Sequence, residues 1–376
     1  MSWHAELRMV SPKGSDAERA QAIASRMGTR RGILQGLLAG LLARGARGAR
    51  KQAGGAPPGN VPKGKYRIPP DARAQTRELG RTGVRVSIVG LGGYHLGLPR
   101  DEQESIRIVR RALDHGMNFL DNCWDYNQGQ SEERMGKALR DGYRQKAFLM
   151  TKLDGRTARS AREQLGQSLR RLQTDMIDLV QIHEIIRDDD PERCFAPGGT
   201  IEALLEAKKA GKLRFTGFTG HKDPRIHRHM LETARANGFH FDTVQMPINV
   251  LDAHYRSFEK EIVPLAQQEG TAVLGMKPLG SGLILESGAA SALDCLRYAM
   301  SVPGVSVTIT GCDSEGVLEQ ALWLATTFKR MTDGERQELL ARTAPYAEGG
   351  KWEKFKTTRT FDGTEQHKEW LTSAQL

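Results

Sequence analysis

From residue 79 onward the chain repeats one unit: a short β-branched or apolar run, then a stretch whose apolar residues recur at helical spacing. These pairs fall at Arg85–Leu91 and Glu102–His115, Asn118–Cys123 and Ser131–Arg140, Ala147–Leu153 and Ala158–Leu172, and Met176–His183 and Thr200–Ala210. They continue at Leu213–Thr219 and Arg225–Ala236, Asp242–Ile248 and Ser257–Gln268, Thr271–Lys277 and Ala292–Met300, and Val305–Thr310 and Glu315–Phe328. Eight strands in strict alternation with eight helices predict an α/β protein built as a closed (β/α)8 barrel, the TIM-barrel architecture. Thr76–Ser87, turning at Arg81-Thr82-Gly83, predicts a short N-terminal hairpin across the barrel bottom. Asp333–Thr343 predicts a C-terminal helix, and the tail 346–376, with Trp352, Phe355, Phe361 and Trp370, is aromatic enough to pack on the body. The predicted organisation is therefore an extension over 1–75, a barrel over 76–345 and a packed tail over 346–376.

Charge is divided unevenly along this plan. The net charge is +10, yet residues 1–78 hold 15 Lys and Arg against 5 Asp and Glu, leaving 40 of each sign in the rest. A neutral body has no global field to attract a phosphate backbone, so no nucleic-acid partner is expected and a small-molecule enzyme is. The apolar-leaning run 32–43 is shorter than the ~20 residues that span a bilayer, so no membrane-spanning segment is expected in the mature chain.

The extension resembles a twin-arginine export signal. Arg30-Arg31 is followed by Gly32-Ile33-Leu34, an apolar segment reaching Ala43, and then Arg44, Arg47, Arg50 and Lys51 among small residues. The resemblance implies export of the folded protein by the twin-arginine (Tat) machinery to the periplasm or beyond. A plain disordered basic tail on a cytoplasmic protein is the alternative. Cys123, Cys194, Cys295 and Cys312 are far apart, with no C-x-x-C pair, so their spacing indicates no metal site.

In a barrel of this kind chemistry collects where strands end and loops begin. Asp121 and Tyr126 follow the second strand, Lys152 ends the third and His183 ends the fourth. A phenol with an ordinary pKa of ~10 is a poor acid near neutrality. A neighbouring ammonium stabilises its phenolate, a carboxylate holds the ammonium, and a histidine can orient a carbonyl oxygen. Together the four predict a tuned acid that protonates an alkoxide. Asn118-Phe119-Leu120-Asp121, Tyr126, and Ser131-Glu132-Glu133-x-x-Gly136-x-Ala138-Leu139, with Thr151-Lys152 and Ile177 through His183, resemble the aldo-keto reductase family. That resemblance, over about 79–328, implies hydride exchange between a nicotinamide dinucleotide and a carbonyl or alcohol.

The family's cofactor positions map onto Gly92 and Gly93, Thr219 and Gly220, Gln245, Met276, Lys277, Leu279 and Ser281, and Gly311, Asp313, Ser314, Glu319 and Gln320. The resemblance gives Gln245 to the carboxamide, Leu279 and Ser281 to the pyrophosphate side, and Glu319 with Gln320 to the adenine. Gly220 lacks the usual amide and Met276 stands where an aromatic residue usually stacks. NADP(H) is the family default, but no Lys or Arg lies between Arg297 and Lys329, which favours NAD(H). A small-molecule carbonyl substrate is expected, with a sugar among the candidates, Trp124 as a flat wall and His221 as a polar contact. The Asp188-Asp189-Asp190 loop offers a further polar contact or a solvated cap. A nicotinamide-binding regulatory or sensor subunit is the alternative, and a hydrolase barrel a more distant one, since glycoside hydrolysis needs a second placed carboxylate beside Asp121.

Overall fold

A computed structural model describes residues 61–376; the arginine pair and its apolar segment lie outside the described residues. Eight parallel strands close a barrel, each hydrogen-bonded to the next in chain order and the last to the first. They are β3 (Val89–Gly92), β4 (Phe119–Asp121), β5 (Phe148–Leu153), β6 (Ile177–Ile182), β7 (Leu213–Thr219), β8 (Thr243–Pro247), β9 (Ala272–Met276) and β10 (Val305–Gly311). Crossover helices include Glu102–Asp114, Ala158–Leu172, Pro224–Ala236 and Glu315–Thr327, as the periodicity predicts. Sequence caps fix their starts: Asp101 accepts from Gln103, Thr157 and Ser160 form a reciprocal cap, and Ser314 accepts from Val317.

The barrel interior is filled rather than open. Phe119, Phe148, Met150, Leu179, Leu274, Val307 and Ile309 pack together with Leu79 and Val86. The last two come from an antiparallel hairpin, β1 (Thr76–Glu78) and β2 (Arg85–Ser87), paired from Thr76↔Ser87 to Glu78↔Arg85. Phe119 and Phe148 open their strands, so the hairpin plugs the amino-terminal end and leaves chemistry to the other.

Three expectations need correcting. The first predicted strand, Arg85–Leu91, is two: its first half pairs in the hairpin and its second in the barrel. Ser87 at the junction is buried, donating to the Val89 carbonyl at 2.8 Å and accepting from the Phe119 amide at 3.2 Å. The Ser257–Gln268 helix breaks into Phe258–Glu261 and Val263–Glu269. Pro264 has no N–H to give the preceding turn, so one helix ends and another begins there. Residues 61–75, assigned to the extension on composition, lie on the barrel: Ala74 N donates to His115 O at 2.8 Å and Gln75 N to Ala325 O at 3.0 Å.

The tail packs as well. Phe355 is fully buried, Gln164 on the Ala158–Leu172 helix donates to the Trp370 and Ser373 carbonyls at 2.8 Å, and Leu371 O accepts from Arg156 N at 2.7 Å. Among the described residues no helix is long and apolar enough to cross a membrane.

Candidate active site at the strand ends

Adjacent parallel strands bring Asp121, Lys152 and His183 to one rim, because β4 pairs with β5 and β5 with β6. Lys152 is buried and makes a short contact to Asp121 Oδ1; its ammonium also donates to the Asn122 carbonyl at 2.8 Å and to the Tyr126 hydroxyl at 3.2 Å. Tyr126 reaches this point through a left-handed turn, with φ of 52° at Asn127, 57° at Gln128 and 87° at Gly129. Asn127 Nδ2 anchors the turn on Tyr94 O at 2.8 Å and Ser131 Oγ at 2.9 Å. The Tyr94 and His183 rings stand edge-on to Tyr126 at 5.5 and 6.0 Å. The four residues singled out in sequence are thus brought together.

Their electrostatics differ from the expectation of a lowered phenol. Burial, followed by the carboxylate of Asp121 and then by Cys123, Asp125 and Glu184, pushes the Tyr126 phenol well above its usual value. Asp121 already neutralises Lys152, so the ammonium does not prevail. Tyr126 is accordingly held as a protonated donor. Burial also lowers the His183 imidazole, leaving it neutral near neutrality.

Gln245, in the middle of β8, donates from Nε2 to Asp121 Oδ2 at 2.7 Å, while its Oε1 is buried with no partner among the described residues. Asp121 therefore links Lys152 to Gln245. Thr219 is buried beside them, its hydroxyl 3.8 Å from the sulfur of Met276. Gly93 must be glycine: a Cβ there would lie 2.5 Å from Asp121 O. Gly92 sits against the Thr310 carbonyl, Gly220 against that of Ile185, and Gly311 against the His95 ring. Lys277, with φ of 52°, lies over the Phe355 and Phe361 rings at 5.5 and 5.6 Å, and burial lowers its ammonium to about 8. Leu279 packs on the core and Ser281 takes a φ of 60° before the short Leu283–Ser287 helix.

The far end of the mapped cofactor positions is occupied by the chain itself. Asp313 and Ser314 precede the Glu315–Thr327 helix, whose Glu319 accepts from Gly64 N at 2.5 Å and pairs with Arg111 at 2.9 Å. Gln320 donates to the Tyr66 hydroxyl at 3.1 Å, and Lys63 pairs with Glu315 at 2.5 Å. A Cβ on Gly316 would come within 1.9 Å of Val61 O, so only glycine lets this strap approach. Cations absent from the local sequence, Lys63, Arg107 and Arg111, converge here on Glu315.

The two substrate expectations fare differently. Trp124 is a packing residue rather than a wall of the mouth: it is fully buried, donates to Gln167 at 2.7 Å and meets Trp370 edge-on at 5.8 Å. The tail covers it, a contact that strand-end position cannot foretell. His221 is also buried, held by Asp362 of the tail at 3.0 Å. Asp190 is no solvated cap: it is buried, accepts from Arg156 Nε at 2.8 Å and takes the Ile186 and Arg187 amides.

Sequence reading missed three acids around His183. Asp154 Oδ1 is 2.9 Å from its Nδ1, Asp125 Oδ1 is 3.7 Å from it, and Glu184 takes the Gly363 and Thr364 amides at 3.0 and 2.8 Å. Burial and the facing Glu184 raise Asp154 to about 8; burial and Asp154 raise Asp125 to about 7. The sequence signal was proximity alone: Asp125 adjoins Tyr126, Asp154 follows Lys152 by two, and Glu184 follows His183.

A family model described as "Aldo/keto reductase family" matches residues 88–293. The aldo-keto reductase YhdN of Bacillus subtilis is 34% identical over 218 residues, which are 54% of this chain and 61% of that protein. L-galactose dehydrogenase of Arabidopsis thaliana is 30% identical over 231 residues, 57% of this chain and 69% of that protein. Among solved structures, the holo form of aldo-keto reductase AKR11C1 from Bacillus halodurans superposes with a TM-score of 0.61 at 27% identity, covering 72% of this chain and 96% of that one.

Proposed function

The chain belongs to the aldo/keto reductase family, and on that premise we propose that it is a nicotinamide-dependent oxidoreductase interconverting a carbonyl and an alcohol on a polar small molecule, a sugar being the first class to test. The observation that carries the reading is the joined set Asp121–Lys152–Tyr126, with the partnerless Gln245 Oε1 beside it. An orphaned buried acceptor fits the amide N–H of a nicotinamide carboxamide. Gln245 and Thr219 would hold that end.

When bound, the dinucleotide supplies or accepts the hydride. Tyr126 gives its hydroxyl proton to the carbonyl oxygen as that oxygen becomes basic. Lys152, 3.2 Å away, stabilises the phenolate left behind, and Asp121 fixes Lys152 in place. His183 orients the carbonyl oxygen through its second ring nitrogen. The sugar class is supported by a relative named L-galactose dehydrogenase.

For the cofactor we favour NAD(H), because Lys63, Arg107 and Arg111 already answer to Glu315 and Glu319. We propose further that the segment at about residues 29–50 is a twin-arginine signal that exports the folded protein. Replacing Arg30-Arg31 by Lys-Lys should retain active protein in the cytoplasm; wild type found solely there at full length would overturn the assignment.

A second reading, a dinucleotide-binding sensor with little turnover, is favoured by the strap that occupies Glu319 and Gln320. One experiment separates the two: native mass spectrometry for retained dinucleotide, followed by a turnover screen of aldoses, ketoses and keto-sugars. Turnover with a sugar supports the enzyme; tight dinucleotide binding without turnover of any carbonyl supports the sensor.

A further inference from the structure

His183 Nδ1 is crowded by three groups from two other loops. Cys123 Sγ lies 3.2 Å away, Asp154 Oδ1 2.9 Å and Asp125 Oδ1 3.7 Å, and one donor atom from each of the four residues lies within 4.8 Å of every other. A ring nitrogen carries at most one proton, which can satisfy one of these neighbours. Cys123 and Asp154 are fully buried, and among the described residues Asp154 Oδ2 has no hydrogen-bond partner. The cations nearby are engaged. Lys152 is committed to Asp121, and Arg156 spends its nitrogens on the Asp190 carboxylate and the carbonyls of Asp154, His183 and Glu184.

A pocket with one thiol, one imidazole nitrogen and two carboxylates, all converging and short of positive charge, has the donor set of a borderline-soft divalent metal. We propose that Cys123, Asp125, Asp154 and His183 Nδ1 bind one zinc-class divalent cation. Binding replaces the thiol proton of Cys123 and the proton that burial keeps on Asp154, both of which leave to solvent, so uptake releases protons. Occupation of Nδ1 fixes the ring proton on Nε2, and the imidazole then presents a donor on its other side. The cation thus sets the tautomer of His183 from behind the site. Cys123 and His183 are 60 residues apart and Asp154 lies between them, which is why cysteine spacing gave no sign of it.

The test uses full-length protein treated with chelator and exchanged into clean buffer, titrated with Co²⁺ alone. One equivalent should bind, with thiolate-to-cobalt charge-transfer absorption that Zn²⁺ abolishes by displacement. Cys123→Ser should lose that absorption, and Asp154→Asn should weaken binding by about tenfold or more. Should either variant fold poorly, the wild type decides alone: Zn²⁺ must move the His183 Nδ1 resonance in a ¹⁵N spectrum. Absence of saturable one-equivalent binding, an unmoved Nδ1 resonance, or an unchanged band and affinity in Cys123→Ser would overturn the site. The last result would place the metal elsewhere, for instance on the surface pair His229 and Glu192. Dinucleotide binding, followed separately by fluorescence quenching, keeps failure of the metal site distinct from failure of the oxidoreductase reading.

Discussion

At the strand-end rim Gln245 Oε1 is left without a partner, whereas Glu319 and Gln320, at the other end of the proposed cofactor track, are satisfied by Gly64 and Tyr66 of the same chain. The two ends obey the same rule, that buried polar groups find partners. They differ in where the partner comes from. The rim is built by strand ends held in the barrel, and in the proposed reading its unmet acceptor is the one a ligand would satisfy. The far end is met by a strap, and in the proposed reading ligand and strap there are alternatives.

The largest effect expected is at the rim. Tyr126→Phe should lower kcat by ~10²–10⁴, the usual worth of a general acid, and leave dinucleotide affinity nearly unchanged. Wild-type turnover in the Phe variant would remove the chemistry from this end.

Next comes the strap. Protein lacking residues 1–66 should bind reduced dinucleotide about 10–100-fold more tightly, since two hydrogen bonds of ~1 kcal/mol each no longer compete. Its kcat should be unaltered. Unchanged affinity in fluorescence titration would mean that the two ends do not differ in this way.

Cofactor choice should show a smaller effect. NADH should bind about tenfold or more tightly than NADPH, because an unpaired 2′-phosphate facing Asp313, Glu315 and Glu319 loses ~1–3 kcal/mol. Tighter NADPH binding would show that Lys63, Arg107 or Arg111 changes partner when the dinucleotide enters.

The smallest concerns stability under the rim. His227 is fully buried behind Gln245, between Phe218 and Phe258, and burial lowers its imidazole to about 3. Between pH 6.5 and that value the unfolded chain binds a proton that the folded chain does not. Stability should therefore fall with pH, by up to ~1.4 kcal/mol per unit from this residue. Denaturant titrations across pH 5–7 should lose that share of the slope in His227→Phe; an identical slope would mean the histidine is not held neutral.

The order of elements was legible because periodicity of 2 and of 3.6 is written residue by residue, and parallel strands in alternation with helices have few ways to close. Strand ends then place Asp121, Lys152 and His183 with no further information. Tyr126 was legible by chemistry and resemblance, though the left-handed turn at Asn127 and Gln128 that returns its hydroxyl to Lys152 was not. The split of Arg85–Leu91 was hidden because both halves are equally good strand. Trp124 was misjudged because its position beside the site says nothing of Trp370, which covers it from 246 residues downstream.

By itself, then, the sequence determined the barrel, the rim residues and the family, all of them consequences of local pattern repeated around a closed sheet. The tertiary structure decided what surrounds them. It set Asp121 against Lys152 so that the Tyr126 phenol rises instead of falling, gathered Cys123, Asp125 and Asp154 around His183, and laid the strap on Glu319 and Gln320. Burial and charge pairing depend on distance in space, and residues far apart along the chain carry no mark of that distance until the barrel has closed.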